Sequence, residues 1–301
     1  MIDSIIIRTV SILGPGLLGG SLALALKKYS PGIKVHLWGR REEPLETARK
    51  LDAADLYTVD LNEAVQGSDL VVLATPVGTM RSMMEQVAAG NLEQALVTDV
   101  GSVKGCVHRD VGSWLSERNV AFIGSHPMAG SEKQGMEYAD PELFCNAMVA
   151  LTNEENLSSS LVSSLRLFWE TVGGRVIEMD SVSHDRAVAR ISHMPHALAS
   201  VCARGSGKDC TDMLDSLKAL AAGGFRDTTR VSMGKPSMWA EILMENGEEV
   251  LAALDTCAAE LDCLRNLLRQ GNRDALKLWL QGAGDMRRTI MHPSLDESGL
   301  E

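Results

Sequence analysis

The strongest constraint on this chain is a glycine pattern set between two apolar runs. Ser11-Ile-Leu-Gly-Pro-Gly-Leu-Leu-Gly19 follows Ile5, Ile6, Ile7, Val10, Ile12 and Leu13 and opens into Ser21-Leu-Ala-Leu-Ala-Leu26. The order reads as strand, turn and helix, with Gly14, Gly16 and Gly19 in a G-x-G-x-x-G spacing. Gly14 permits the tight turn, Gly16 lets a pyrophosphate touch bare backbone, and Gly19 lets the helix pack close to the strand. The N–H groups and positive dipole end of that helix then face the phosphates. This predicts a dinucleotide site.

Residues 9–26 carry no charge, so a membrane-spanning helix is the rival reading. Gly14, Pro15, Gly16, Gly19 and Gly20 interrupt the run, and no basic cluster or cleavage site makes it a signal peptide. The expectation is a soluble, cytoplasmic protein. A net charge of −11 argues against nucleic acid or a membrane surface as partner. An anionic small-molecule substrate must therefore meet a local basic pocket. The six cysteines form no C-x-x-C pair and read as reduced, mostly packed thiols.

A length of 301 residues suggests two domains. Val/Ile/Leu-rich runs at Ile33–Trp38, Asp69–Pro76, Ala95–Asp99, Val120–Gly124, Ala147–Thr152 and Arg175–Met179 alternate with helical stretches. Such runs predict one parallel, doubly wound α/β sheet of Rossmann type over residues 1–180. From 181 to 301 the periodicity is helical throughout. One long helix is expected from Pro236 to Gly271, with Trp239, Ile242, Leu243, Val250, Leu254, Cys257, Leu261, Leu264 and Leu268 on its apolar face. That face is either core or a homodimer interface, and the interface is the reading preferred.

Four clusters could carry chemistry. Thr98-Asp-Val-Gly-Ser-Val-Lys104 ends a strand, so Ser102 and Lys104 either face a ligand or form a helix cap with a solvated lysine. Gly124-Ser-His-Pro-Met-Ala-Gly-Ser-Glu132 puts His126 on an extended turn after a strand, where it is either a surface-loop histidine or, the reading preferred beside a dinucleotide fold, a general base. His184-Asp-Arg186 and Ser192-His-Met-Pro-His196 place His193 and His196 three apart on one helix face, with Pro195 able to kink it. No third ligand has metal spacing, so substrate binding or a buried hydrogen-bond network is expected instead of a metal. Gly223-Gly-Phe-Arg-Asp-Thr-Thr-Arg230 either offers Arg226 and Arg230 to a carboxylate or leaves them as two solvated surface arginines, and the glycine pair suggests a shaped loop.

These clusters, with Ala74-Thr-Pro-Val77, occur in the order found in prephenate and arogenate dehydrogenases of tyrosine biosynthesis, and the chain resembles that family. The resemblance implies a nucleotide-binding domain and a helical dimerisation domain. It implies oxidative decarboxylation of prephenate to 4-hydroxyphenylpyruvate, or alternatively of arogenate to tyrosine. A β-hydroxyacid dehydrogenase-like oxidoreductase is the runner-up, but those relatives lack the His-Pro-Met-Ala-Gly and His-x-Pro-His combination. Carried over by motif, His126 accepts the proton of the substrate hydroxyl and Ser102 hydrogen-bonds that hydroxyl. Arg230 holds a carboxylate, His196 with His193 behind it seats the substrate, and Ser131, Glu132 and Arg226 line or gate the pocket. Gly14, Gly16, Leu17, Leu18, Gly19, Thr75 and Pro76 are the expected cofactor contacts. The family's chorismate mutase and ACT-type accessories have no expected counterpart here, so any feedback by tyrosine would act at the active site.

The acidic residue of an NAD site is expected about 20 residues past the glycine motif. Here that place falls on Gly39 or Arg40, with Arg41 next and Glu42 and Glu43 only afterwards. Arg40 or Arg41 can grip a 2′-phosphate, so NADP is the expected preference, with NAD possible.

Overall fold

The computed structural model describes residues 2–130, 133–208 and 210–291. The chain divides into two compact units, residues 1–250 and 251–301.

The first unit is built on six parallel strands: β1 (Thr9–Leu13), β2 (Lys34–Trp38), β3 (Leu56–Thr58), β4 (Leu70–Leu73), β5 (Leu96–Asp99) and β6 (Ala121–Phe122). Their order is β3-β2-β1-β4-β5-β6, so the strand order reverses between β1 and β4. Ligands bind at such a switch point, beyond the carboxyl ends of the strands. Every residue of β4 and β5 is buried. Alternate side chains feed two cores. Val10, Ile12, Leu70, Val72 and Leu96 enter one, with Leu22, Ala25 and Leu26 of helix α1 (Leu17–Tyr29). Leu13, Val71, Leu73 and Val97 enter the other, with Met80, Met83 and Met84. A strand that is apolar on both faces needs a layer on each, which is why these runs do not alternate with polar residues.

Helices α2 (Glu42–Lys50), α3 (Leu61–Val65) and α4 (Val77–Met84) connect the strands. After β5 come two short helices, α5 (Gly105–Val107) and α6 (Ser113–Ser116), joined by a wide π-turn at His108–Gly112.

The expectation of one continuous parallel sheet is corrected. Strands β7 (Gly124–Pro127), β8 (Met148–Thr152) and β9 (Arg175–Glu178) form a second sheet, in which β7 runs antiparallel to β8. The apolar run 120–124 therefore spans a change of sheet. Ile123 N still bonds Val97 O, but Ser125 N donates to the Asp99 carboxylate at 3.1 Å and leaves the parallel ladder. His126 thus lies within a strand and not on the turn after one. Helix α7 (Ser159–Thr171) buries Leu161, Leu165, Phe168 and Trp169.

Beyond Asp180 the described residues form helices and no strand, as expected: α8 (Ser181–Val188), α9 (Met194–Gly207), α10 (Leu214–Leu220), α11 (Gly223–Thr229) and α12 (Pro236–Glu245). A π-turn at Ala189–His193 separates α8 from α9 and absorbs Pro195 at the start of α9. The single long helix from Pro236 is also corrected. It breaks at Asn246 (φ −106, ψ 28), and α13 (Gly247–Gln270) begins afterwards. At the break the Asn246 side chain is hydrogen-bonded to Asp185 O and His193 Nδ1.

In the second unit, most of α13 turns through Gly271 (φ +62) into α14 (Arg273–Met291). Trp279 Nε1 donates to Glu260 across this pair at 2.8 Å. Leu261, Leu268, Leu278, Leu280, Met286 and Ile290 are all exposed. Among the described residues, no helix is long and apolar enough to cross a membrane.

Candidate active site

The glycine turn has the shape its sequence requires. Gly14 has φ +128, and a Cβ there would sit 2.5 Å from the Ala74 carbonyl oxygen. A Cβ on Gly19 would lie 2.0 Å from the Gly14 carbonyl oxygen. A Cβ on Gly16 would meet no atom within 4 Å, so this is the side open to a ligand. Gly16 caps α1 without any side-chain hydrogen bond, leaving the first N–H groups of the helix, from Leu17 onward, for an anion. At the end of β4, across the switch point, Thr75 Oγ1 is buried and has no hydrogen-bond partner. A buried orphan hydroxyl costs free energy unless a ligand satisfies it. Pro76 then opens α4, where Glu241 accepts from Gly78 N. An open glycine, an uncapped helix end and an orphan hydroxyl around one crevice fit a dinucleotide.

β2 ends with Trp38, and Gly39 and Arg40 follow without a carboxylate. Arg40 is exposed. Arg41 caps α2, its guanidinium 3.9 Å from Glu43, while Glu42 is held by Arg49 at 3.2 Å. Both acids therefore stand in the first turn of α2, past the strand end.

A buried polar knot positions His126. Asp99 and Lys104 are both fully buried and paired. Lys104 Nζ also donates to the Ser125 carbonyl at 2.8 Å, and Asp99 accepts from Gly101 N at 2.8 Å and Ser125 N at 3.1 Å. Ser125 Oγ is fixed by Thr98 Oγ1 at 2.7 Å and by Trp169 Nε1 at 3.1 Å. Both main-chain polar groups of Ser125 are thus held, and His126 is aimed from a rigid strand. Lys104, expected either to face a ligand or to be solvated, does neither. Ser102 is half-buried on the turn between Asp99 and Lys104.

His126 is 8% exposed, and its Nδ1 lies 2.8 Å from His184 Nε2. His184 Nδ1 lies 2.8 Å from Asp185 Oδ1. Asp185 accepts from Lys104 N and Gly105 N as well, each at 2.8 Å. Burial works to raise the Asp185 carboxyl, but the bond from His184 and the two N–H bonds outweigh it and hold it below the ordinary value. An ionised Asp185 only accepts, so His184 carries its proton on Nδ1. With one proton on each ring, His184 Nε2 accepts from His126 Nδ1–H, and His126 Nε2 is left with a bare lone pair. Burial, aided by His184, Lys104 and His193, pushes the His126 pKa well below 6.5.

A second cluster adjoins the first. His196 stacks on Trp239, ring centroids 3.5 Å apart and planes within 9°, and His193 meets the same indole edge-on at 6.2 Å. The predicted common face of the two histidines is thus lined by one aromatic ring. His196 Nδ1 is buried without a partner. Burial lowers the pKa of both rings, that of His193 to about 4. Asn246 joins this cluster to Asp185, donating to its carbonyl at 2.8 Å.

Arg226 and Arg230 are exposed, on α11 and on the 3₁₀ turn Arg230–Met233 that continues it. Gly223 and Gly224 belong to α11 itself, which corrects the expected loop. Both segments pack against α9, the helix of His196. Ser131 and Glu132 lie outside the described residues. Sequence reasoning left His184 and Asp185 without a role and missed Trp239 and Asn246 as site residues. The adjacent His-Asp pair was the available signal for the first two, whereas Asn246 stood inside an apparently regular helix. The thiols are free as expected but less packed: Cys106 alone is buried, and Cys202 and Cys263 are exposed.

Two family models match this chain: the prephenate dehydrogenase nucleotide-binding domain over residues 22–178 and the prephenate dehydrogenase dimerization domain over residues 180–282. A cyclohexadienyl dehydrogenase of Zymomonas mobilis is 33% identical over 272 residues, covering 90% of this chain and 92% of that one. The solved prephenate dehydrogenase of A. aeolicus, in complex with hydroxyphenyl propionate and NAD+, superposes with a TM-score of 0.79 at 30% identity, covering 95% of this chain and 99% of that one. An arogenate dehydrogenase structure from Synechocystis gives a TM-score of 0.77 at 29% identity, covering 94% and 99%.

Proposed function

Because the chain belongs to the prephenate dehydrogenase family, we propose that it oxidatively decarboxylates prephenate to 4-hydroxyphenylpyruvate, with NADP+ preferred over NAD+. The single observation that carries the chemistry is the His126–His184–Asp185 chain, which with both rings neutral leaves His126 Nε2 unprotonated. In this reading His126 Nε2 takes the proton of the substrate hydroxyl, and Ser102 hydrogen-bonds the same oxygen. The positive charge gained by His126 is offset along its Nδ1–H bond by His184 and the Asp185 carboxylate, the logic of a base oriented by a third group. The chemistry supplied by a bound nicotinamide is hydride acceptance. Loss of the ring carboxylate needs no acid from the protein, since aromatisation drives it.

Gly14, Gly16, Leu17, Leu18, Gly19, Thr75 and Pro76 would hold the dinucleotide, and Arg40 or Arg41 its 2′-phosphate. Arg230 would bind a substrate carboxylate bidentately, with His193 and His196 seating the ring and Ser131, Glu132 and Arg226 at the pocket mouth. Nucleotide binding is assigned to residues 1–180 and substrate binding and dimerisation to 181–301, a division supported by the break between the two matched family models. A homodimer through the helical half is supported by the dimerization-domain match and by the uncovered leucines of α13 and α14. The test is the absorbance of reduced nicotinamide with prephenate, then with arogenate, under each cofactor. Turnover of neither substrate would overturn the reading, and turnover of arogenate alone would replace prephenate by arogenate.

A further inference from the structure

Asn246 stands between α12 and α13, 5% exposed, and its amide makes two contacts at once. Nδ2 lies 2.8 Å from the main-chain oxygen of Asp185 and 3.1 Å from His193 Nδ1. A carbonyl oxygen can only accept, so the amide must turn its nitrogen, not its oxygen, to this corner. The second N–H then falls on His193 Nδ1, which has to accept it. A neutral imidazole carries one N–H, so the proton of His193 sits on Nε2. The ring stays neutral in its setting: it is 1% exposed, and burial, with His184 and His196 nearby, outweighs the opposing pull of Asp185.

We propose that Asn246 is a positioning residue that fixes His193 as an Nε2–H donor to an oxygen acceptor of the substrate, a carboxylate or carbonyl. The inference rests on His193 being a substrate-binding residue, as read above. Asn246 also stands at the helix break. A continuous helix would leave residue 246 in regular geometry, whereas the turn at Asn246 (φ −106, ψ 28) coincides with its amide reaching Asp185 and His193. An ammonium group finds no lone pair on a ring held this way. The contact therefore reads an oxygen that both candidate substrates carry, and does not read the keto or amino group that separates them unless the keto oxygen is the acceptor.

The test uses the full-length protein. Ring ¹⁵N chemical shifts of His193 report which nitrogen is protonated, in the parent and in Asn246→Ala and Asn246→Asp. The parent is expected to show Nε2–H with a bare Nδ1. Asn246→Asp places an acceptor against Nδ1 and is expected to move the proton there. Asn246→Ala adds no charge and keeps the test open if the aspartate variant does not fold. For folded Asn246→Ala, KM for prephenate is expected to rise about tenfold, the usual size of a lost hydrogen bond to a charged group, with kcat within about threefold. An Nδ1–H tautomer in the parent overturns the proposal, and so does an unchanged KM in folded Asn246→Ala. Turnover of neither prephenate nor arogenate by the parent overturns the substrate contact, while the ring shifts still decide whether Asn246 sets the tautomer.

Discussion

His126 Nδ1 and His184 Nε2 lie 2.8 Å apart in a buried setting, and the direction of the proton between them is set two atoms further on by Asp185. One carboxylate thereby decides which nitrogen of a neutral His126 keeps its lone pair. It also holds the N–H groups of Lys104 and Gly105, tying the turn after β5 to helix α8.

The relay predicts the effect of Asp185→Asn. An amide can donate to His184 Nδ1, which moves the His184 proton to Nε2 and leaves His126 with its proton on the working nitrogen. Turnover is expected to fall about 10²–10⁴-fold, the range for loss of a general base. Steady-state kinetics on variant protein shown to be folded by circular dichroism checks this. A loss under about threefold would mean that the tautomer is set elsewhere.

The lowered pKa of His126 predicts where the acid limb of activity lies. Because the ring stays neutral below 6.5, kcat/KM is expected to hold through pH 6.5 and to decline only at lower pH. Stability follows the same sign. Between 6.5 and the native values, about 4 for His193, the unfolded chain binds protons on His126, His193 and His196 that the native state refuses. Stability is therefore complete above 6.5 and is lost as pH falls, by up to about 1.4 kcal/mol per pH unit for each histidine. Urea midpoints at pH 7 and pH 5 measure it, and a midpoint that rises on acidification would contradict the assignment.

The Asp99–Lys104 pair predicts a structural cost. Lys104→Met strands a buried carboxylate and releases the Ser125 carbonyl. The expected loss is about 3–5 kcal/mol. Denaturant unfolding of the variant against the parent would read it, and a change below about 1 kcal/mol would show that the knot does not hold β7 in place.

Much of this architecture was legible in residue order. The glycine spacing after an apolar run gave the first turn and helix, because Gly14 and Gly19 stand where a Cβ collides with backbone. The second sheet was not legible. Met148–Thr152 reads as apolar as any parallel strand, and the chain leaves the first ladder where Ser125 N turns to the Asp99 carboxylate, a long-range contact. His126 could be singled out by its place near a strand end, but its tautomer depends on residues 58 and 59 positions later, a long-range fact that no local pattern carries. Asn246 was hidden for the opposite reason: apolar periodicity ran straight through it, and its tertiary hydrogen bonds leave no mark in that pattern.

The strand end after Trp38 predicts cofactor choice. Arg40→Ala and Arg41→Ala are each made, and at least one is expected to lower kcat/KM with NADP+ about tenfold while leaving NAD+ nearly unaffected, as loss of a charge-assisted phosphate contact would. A parent that clearly prefers NAD+, or an NADP+ preference untouched by both substitutions, would place recognition elsewhere.

The most direct test of the account is His126→Asn, assayed by reduced-nicotinamide absorbance with prephenate between pH 6 and 9 and paired with calorimetric binding of the substrate. The account predicts turnover lower by about 10²–10⁴-fold with substrate affinity largely retained. A kcat within about threefold of the parent across that range would contradict it.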